Sequence, residues 1–113
     1  MTSIISKESL RWNENACLFQ GSEHGDVPVS FFWMTSVPGS GPNLHKHPYP
    51  EVFIMLQGKA TFTLGDTTLD VHSEEVVIAP PNTPHGFKNT GEEPLLLVSI
   101  HPNKQVIQEW LEK

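Results

Sequence analysis

Short apolar segments separated by prolines and glycines run along almost the whole chain, and this punctuation constrains the fold more than any other feature. The chain has 113 residues, with ten prolines and eight glycines that lie mostly between the apolar segments. Turn residues recur about every 8–12 residues, which is the spacing typical of an all-β sandwich or barrel. We therefore predict an all-β fold in a single domain covering residues 1–113.

The apolar segments have the period of two that strands require. In the segment 51–56, Val52, Ile54 and Leu56 share one face, and the intervening residues share the other. The segment 59–64 also alternates, and Gly65-Asp66 after it predicts a two-residue hairpin turn into 67–71. Residues 1–28 have a weaker pattern, from which we expect one or two edge strands.

The C-terminal segment has a different period. After Pro102, Asn103 is placed to cap a helix, and we predict a short C-terminal helix with an apolar stripe on one face: Val106, Ile107, Trp110 and Leu111. The stripe is expected to pack on the domain's own sheet, and covering a partner subunit is the alternative. Because twofold dimers are the commonest oligomers, we expect a homodimer.

Charge and composition exclude several classes of protein. Seven Lys and Arg against thirteen Asp and Glu give a net charge of −6, so binding to nucleic acid is not expected. The longest aliphatic run, 95–98, is far shorter than the roughly 20 residues that span a bilayer. The N-terminus lacks the features of a signal peptide, so a cytoplasmic location without membrane contact is expected. A lone Cys17 excludes an intrachain disulfide and a Cys-rich zinc module.

Three of the six histidines occur in a pattern that suggests metal binding. In an extended segment, His45 and His47 point to the same side, and Glu51 follows four residues later. His85 lies in a proline-rich turn that would fix the direction of its ring. Burial of three imidazoles and a carboxylate without a metal would leave costly unpaired polar groups. The other three histidines are expected to be ordinary solvated residues: His24, His72 and His101.

The same residues resemble the two motifs of the cupin superfamily. The first motif, at 39–58, is matched at every position: Gly39, His45, His47, Glu51 and Gly58. The second, at 74–89, is matched at Pro80, His85 and Asn89, whereas Glu74 and Asn82 replace its two glycines. These departures affect backbone turns and leave the ligand positions intact. Asn tolerates a positive φ better than most residues do.

The resemblance implies a double-stranded β-helix, the jelly-roll barrel of cupins, with a metal inside. By this resemblance His45, His47, Glu51 and His85 are the ligands. A mixed imidazole and carboxylate set suits one divalent transition metal ion: Mn, Fe, Co, Ni, Cu or Zn. Four protein ligands around an octahedral ion leave two positions for water, oxygen or a substrate. An open position distinguishes a working metal site from a closed structural one.

The function expected from this pattern is that of a metal-dependent enzyme for a small organic substrate, of the oxygenase, isomerase or lyase type. Glu51 is the candidate to detach and take a proton, and His101 is a more remote one. Candidate pocket walls are Trp33, Phe53, Met55, Phe62 and Phe87, although each is equally suited to filling the barrel core. One alternative is a metal-loaded barrel that binds or senses a small metabolite without turnover. Another is a storage or structural jelly roll with a vestigial site.

Overall fold

Nearly all regular structure in the protein is β-strand, which confirms the predicted fold class. The computed structural model describes residues 3–112. Two short 3-10 helices lie at Lys7–Leu10 and Gly21–Glu23. Among the helices of the described residues, none is long and apolar enough to cross a membrane. The strands are β1 (Arg11–Asn13), β2 (Ala16–Gln20), β3 (Ser30–Ser36), β4 (His45–Lys46), β5 (Glu51–Gln57), β6 (Lys59–Leu64), β7 (Thr67–His72), β8 (Val76–Ala79), β9 (His85–Asn89), β10 (Leu95–His101) and β11 (Glu109–Trp110).

The strands form two antiparallel sheets that pack face to face. The large sheet has the order β1-β2-β3-β10-β5-β8, and the small sheet has the order β11-β4-β9-β6-β7. Side chains from both inner faces meet between them, as in the edge-to-face contact of Phe53 with Phe62, whose ring centroids are 5.0 Å apart. The region 1–28 supplies β1 and β2, which extend the large sheet at one edge.

The space between the sheets has a polar end and an apolar end, and the neighbouring strands β5 and β10 contribute side chains to both. Inward positions on β5 change from Glu51 to Phe53 and Met55, and all three side chains are buried. On β10 the buried positions change in the opposite direction, from Leu95 and Leu97 to Ser99 and His101. Because the strands are antiparallel, the polar positions meet at one end and the apolar positions at the other. The apolar end, which we call the apolar core, comprises Phe53, Met55, Ala60, Phe62, Val71, Val77, Ala79, Phe87, Leu95 and Leu97.

The turns adopt the backbone conformations that the motif positions require. Gly65 has a φ of 59° in the hairpin between β6 and β7, which pairs Leu64 with Thr67 as the Gly-Asp turn predicts. Glu74 and Asn82, which replace the glycines of the second motif, have φ values of 70° and 57°. The chain therefore keeps two left-handed turns with residues that have a Cβ, at a cost of roughly 1–2 kcal/mol each.

The predicted C-terminal helix is wrong: in its place the chain bends at 102–105 and then forms the short strand β11. Asn103 does not cap a helix, because its side-chain amide donates to the carbonyl of Gln105. The backbone N–H of Val106 donates to the side chain of Gln20, 3.0 Å away. Further along, β11 pairs with β4 through Trp110 and His45. Hydrogen bonds to distant strands thus replace the local ones that a helix would need.

Candidate metal centre

Four of the buried polar side chains converge at the polar end of the barrel. His45 lies in β4, His47 follows it in the adjoining loop, and Glu51 and His85 begin β5 and β9. One ligand atom from each of the four lies within 4.8 Å of all the others. Metal–ligand bonds of about 2.1 Å allow ligand atoms on opposite sides of an ion to be about 4.2 Å apart, so the cluster has nearly the required size. The structure therefore brings together all four residues that the motifs indicate.

Backbone carbonyls hold the three histidine rings in the orientation that a metal needs. Nδ1 of His45 is 2.7 Å from the carbonyl oxygen of Asn43. Nδ1 of His47 is 2.8 Å from that of Ile107, and Nδ1 of His85 is 2.9 Å from that of Thr83. A carbonyl only accepts hydrogen bonds, so each Nδ1 carries the hydrogen. Each Nε2 is then the ring atom directed at the cluster, as in metal-binding histidines whose other nitrogen is anchored.

The polar groups of the cluster fit a bound cation better than they fit one another. Oε1 of Glu51 lies 2.8 Å from Nε2 of His47 and 2.9 Å from Nε2 of His85. Despite this short distance, the angle between the ring of His47 and the carboxylate does not suit a hydrogen bond. Nε2 of His47 is therefore buried without a hydrogen-bond partner. A buried polar atom without a partner costs about 1–3 kcal/mol. A metal ion would satisfy this nitrogen together with the other three ligands.

The protonation states of His45 and Glu51 also favour a metal, whereas that of His85 opposes it. Burial lowers the pKa of His45 to about 4 and outweighs the hydrogen bond to Asn43, so this ring is neutral at pH 7. Burial would raise the pKa of Glu51, but contacts with three histidines hold it well below its usual value. Burial would lower the pKa of His85, but its hydrogen bonds to Glu51 and to the carbonyl of Thr83, together with the charge of Glu51, raise it. Metal binding would therefore have to displace a proton from this ring.

His101 belongs to the site, and its prediction as an ordinary solvated residue is wrong. Its side chain is 1% exposed, and Nε2 lies 3.1 Å from Oε2 of Glu51. Tyr49 Oη accepts a hydrogen bond from the backbone N–H of Ile107, at 3.0 Å. The Tyr49 hydroxyl also shares a hydrogen bond with Nδ1 of His101, 2.7 Å away. His101 has the same parity as buried Leu95, Leu97 and Ser99, and this alternation is the signal that identifies it as inward-facing. By contrast, His72 is exposed, and half-buried His24 stacks on Phe19 away from the cluster.

A cavity of about 80 Å³ adjoins the cluster. At about 10–15 Å³ per water-sized group, it has room for about six such groups. Its walls are mostly apolar, and its polar lining comes from His45, Glu51, Ser99, His101 and Gln108. Of the side chains expected to form walls, Phe53 and Phe87 line the cavity, whereas Met55 and Phe62 lie in the apolar core. Trp33 is 38% exposed on the outside of the large sheet. Five apolar wall residues were not anticipated: Trp12, Phe32, Met34, Pro42 and Trp110.

Comparison with known proteins agrees with this fold. The family model described as "Cupin domain" matches residues 32–101, so the chain belongs to the cupin family. Auxin-binding protein 1 of Arabidopsis thaliana is 32% identical over 98 residues, which are 76% of this chain and 50% of that protein. The H2HPP isomerase of Bacillus subtilis is 27% identical over 92 residues, which are 80% of this chain and 38% of the isomerase.

Solved structures show the same fold. The oxalate decarboxylase of Lactobacillus farciminis, in complex with formate, superposes with a TM-score of 0.80 at 21% identity, over 92% of this chain and 34% of that one. The Bacillus subtilis oxalate decarboxylase, which has Mn(II) centres, gives 0.79 at 22% identity, over 88% and 29%. This chain therefore spans half or less of the length of these relatives.

Proposed function

We propose that this cupin is a metal-dependent enzyme that acts on a small carboxylate with an apolar body. The observation that carries the proposal is the convergence of three carbonyl-anchored histidines and Glu51 beside a largely apolar cavity. The proposed ligands are Nε2 of His45, His47 and His85 together with the carboxylate of Glu51. When bound, the ion would serve as a Lewis acid and as the template that orients the substrate.

The cavity lining supports a carboxylate as the group that meets the metal. Among the described residues that line it, none is Lys or Arg, so the bound ion would be the positive charge available to an anion. Ser99 Oγ is buried at the cavity wall and has no hydrogen-bond partner. A polar atom of the ligand would satisfy this hydroxyl, and the aromatic walls suit an apolar remainder. The formate complex of a structural neighbour is consistent with this choice.

Catalysis, rather than binding alone, is favoured by the polar groups next to Glu51. His101 and Tyr49 are hydrogen-bonded to each other, and Nε2 of His101 lies 3.1 Å from Oε2 of Glu51. Such groups beside a metal are what proton transfer to or from a bound substrate requires. An oxygenase, an isomerase and a lyase all fit this arrangement.

A non-catalytic binding protein is the second candidate function. The specific observation in its favour is the similarity to auxin-binding protein 1 of Arabidopsis thaliana, whose name describes binding. The cavity is also small, with room for about six water-sized groups. In this case the metal would hold the carboxylate, and Ser99 would orient it without any subsequent reaction.

The test is a ligand titration of the Co²⁺-loaded protein, followed through the absorption bands of the metal. We expect formate and small aromatic carboxylates to perturb these bands, and the corresponding primary amides to have no effect. The Ser99→Ala variant should weaken carboxylate binding by about 2–10-fold, the worth of one hydrogen bond, with unchanged metal content. Product analysis with and without oxygen then separates the two candidate functions. A loaded protein whose bands respond to no carboxylate would refute both.

A further inference from the structure

The segment 106–111 crosses the polar end of the barrel from one sheet to the other, and we call it the C-terminal strap. At its start, the backbone N–H of Val106 donates to the side chain of Gln20 in β2 of the large sheet, 3.0 Å away. At its end, the backbone N–H of Leu111 donates to the carbonyl of Leu44, just before β4 of the small sheet, at 2.9 Å. The strap is therefore hydrogen-bonded to both sheets.

Alternate side chains of the strap face the cavity beside the metal cluster. Gln108 and Trp110 line this cavity, and the ring centroid of Trp110 lies 4.7 Å from that of His45. Ile107 and Leu111 have the other parity and are 48% and 43% exposed. The strap thus forms one wall of the cavity and has solvent on its other side.

The peptide group of Ile107 connects the strap to the metal cluster. Its carbonyl accepts a hydrogen bond from Nδ1 of His47 at 2.8 Å, and its N–H donates to Tyr49 Oη at 3.0 Å. The carbonyls that anchor the rings of His45 and His85 lie only 2 residues away in the chain. The carbonyl that anchors His47 lies 60 residues away, so this ring depends on the strap being in place.

We propose that the C-terminal strap is a metal-responsive wall of the site, which docks firmly when the ion is bound and releases more readily when the ion is absent. This inference rests on the metal centre of the proposed function. A neutral imidazole carries its hydrogen on either nitrogen, and only the form with the hydrogen on Nδ1 donates to the carbonyl of Ile107. A metal on Nε2 of His47 requires the same form of the ring. The ion and the docked strap therefore favour one state of His47.

Two events that favour the same state of one side chain stabilise each other by the same factor. Bound metal should therefore slow the release of the strap, and the docked strap should raise the affinity for the metal. Because Gln108 and Trp110 belong to the cavity wall, release of the strap also opens the cavity. The metal thus controls access to the cavity as well as the chemistry beside it.

The proposal is tested by amide hydrogen exchange of the full chain, measured residue by residue by NMR in the metal-free and Zn²⁺-loaded protein. We expect zinc to slow exchange at Val106, Ile107 and Leu111 by about 5–150-fold, the range typical of coupled sites. The control is the amide of Glu74, which donates to the carbonyl of Met55 at 2.8 Å in a turn away from the cluster. Its exchange rate should be the same with and without zinc.

A double variant, Gln20→Ala with Leu111→Pro, tests the reciprocal effect. It removes a hydrogen bond at each end of the strap and changes none of the proposed ligands. We expect its zinc affinity, measured by chelator competition, to fall by about the factor by which zinc slows strap exchange in the natural chain. Gln57→Ala is the matched control, because Gln57 is exposed at the far end of β5 from Glu51. Gln20→Glu keeps an acceptor oxygen for Val106 and should retain the natural affinity.

Two results would overturn the proposal in protein that binds zinc. One is strap amides that exchange equally fast with and without zinc, or that slow no more than the amide of Glu74. The other is a folded double variant with the zinc affinity of the Gln57→Ala control. If the double variant does not fold, the exchange rates of the natural chain still decide the question. A natural chain that binds no zinc would instead refute the metal centre itself, so the two failures are distinguishable.

Discussion

The two ends of the barrel interior are built from the same strands but have opposite chemistry. At one end β5 and β10 contribute Met55, Leu95 and Leu97, each no more than 1% exposed, and these residues pack among other apolar side chains. At the other end the same strands contribute Glu51 and His101, which are equally buried but polar. The apolar end therefore contributes stability, whereas the buried polar groups of the other end cost part of that stability and form a site for a metal.

The largest effect is expected at the polar end. Replacement of His47 by Ala removes one of four ligands, and we expect metal affinity to fall by more than the roughly 10–100-fold that loss of an outer partner costs. The metal-free variant should also lose stability, because the missing ring leaves a cavity, deprives the Ile107 carbonyl of its hydrogen bond and takes away one of the histidines beside Glu51. Competition with a chelator measures the affinity, and urea denaturation measures the free energy of unfolding. Exposed His72→Ala is the control and should behave as the natural chain.

A change at the apolar end should affect stability and leave metal binding unchanged. We expect Leu97→Ala to lower the free energy of unfolding by about 3–5 kcal/mol, because Leu97 is completely buried and its removal leaves a cavity. The number of metal ions bound by the folded variant should stay unchanged. If Leu97→Ala abolished metal binding in protein that is still folded, the two ends would not be separable as described.

Outer contacts of the metal cluster should have an intermediate effect. His101→Gln removes the ring that lies 3.1 Å from Oε2 of Glu51, and we expect a 10–100-fold loss of metal affinity. Tyr49→Phe removes only the hydroxyl that orients that ring, so its effect should be smaller. The same chelator competition measures both, with His24→Gln as the control. Equal metal affinities for His101→Gln and the control would show that His101 does not contribute to the metal site.

Acid should destabilise the metal-free protein through His45. Because the folded pKa is about 4 and the usual value is 6.5, the unfolded state binds more protons between these two pH values. The free energy of unfolding therefore falls as pH drops from 6.5 toward 4, by up to about 1.4 kcal/mol per pH unit from this residue. His85 acts with the opposite sign, since its pKa is raised and its contribution is lost as pH rises. Urea denaturation at pH 7 and pH 5 should show a smaller acid loss in His45→Gln than in the natural chain.

The smallest effect on stability is expected at the turn that contains Glu74, which lies outside both ends of the barrel interior. Glu74 has a φ of 70°, which glycine adopts without strain. We expect Glu74→Gly to raise the free energy of unfolding by up to about 1 kcal/mol, since relief of strain is partly offset by the greater freedom of glycine in the unfolded chain. Thermal denaturation would detect this change, and a lower midpoint would contradict it.

Local patterns in the sequence predict most of the fold and the four clustered residues. Alternation and turn residues identify the strands, and motif spacing identifies His45, His47, Glu51 and His85. The predicted C-terminal helix fails because distant groups, such as the side chain of Gln20, take the hydrogen bonds of the segment. Trp33 is misplaced because β3 has large apolar residues on both faces, so alternation alone does not show which side faces inward.

The ¹⁵N spectrum of the histidine rings in the Zn²⁺-loaded protein tests most directly whether the clustered histidines bind a metal. We predict that His45, His47 and His85 all bind zinc through Nε2. Each ring should keep a hydrogen on Nδ1, which donates to the backbone carbonyl of Asn43, Ile107 or Thr83, respectively. His72 and His24 should be unaffected by the metal. Rings that stay metal-free, or that bind through Nδ1, would contradict the account.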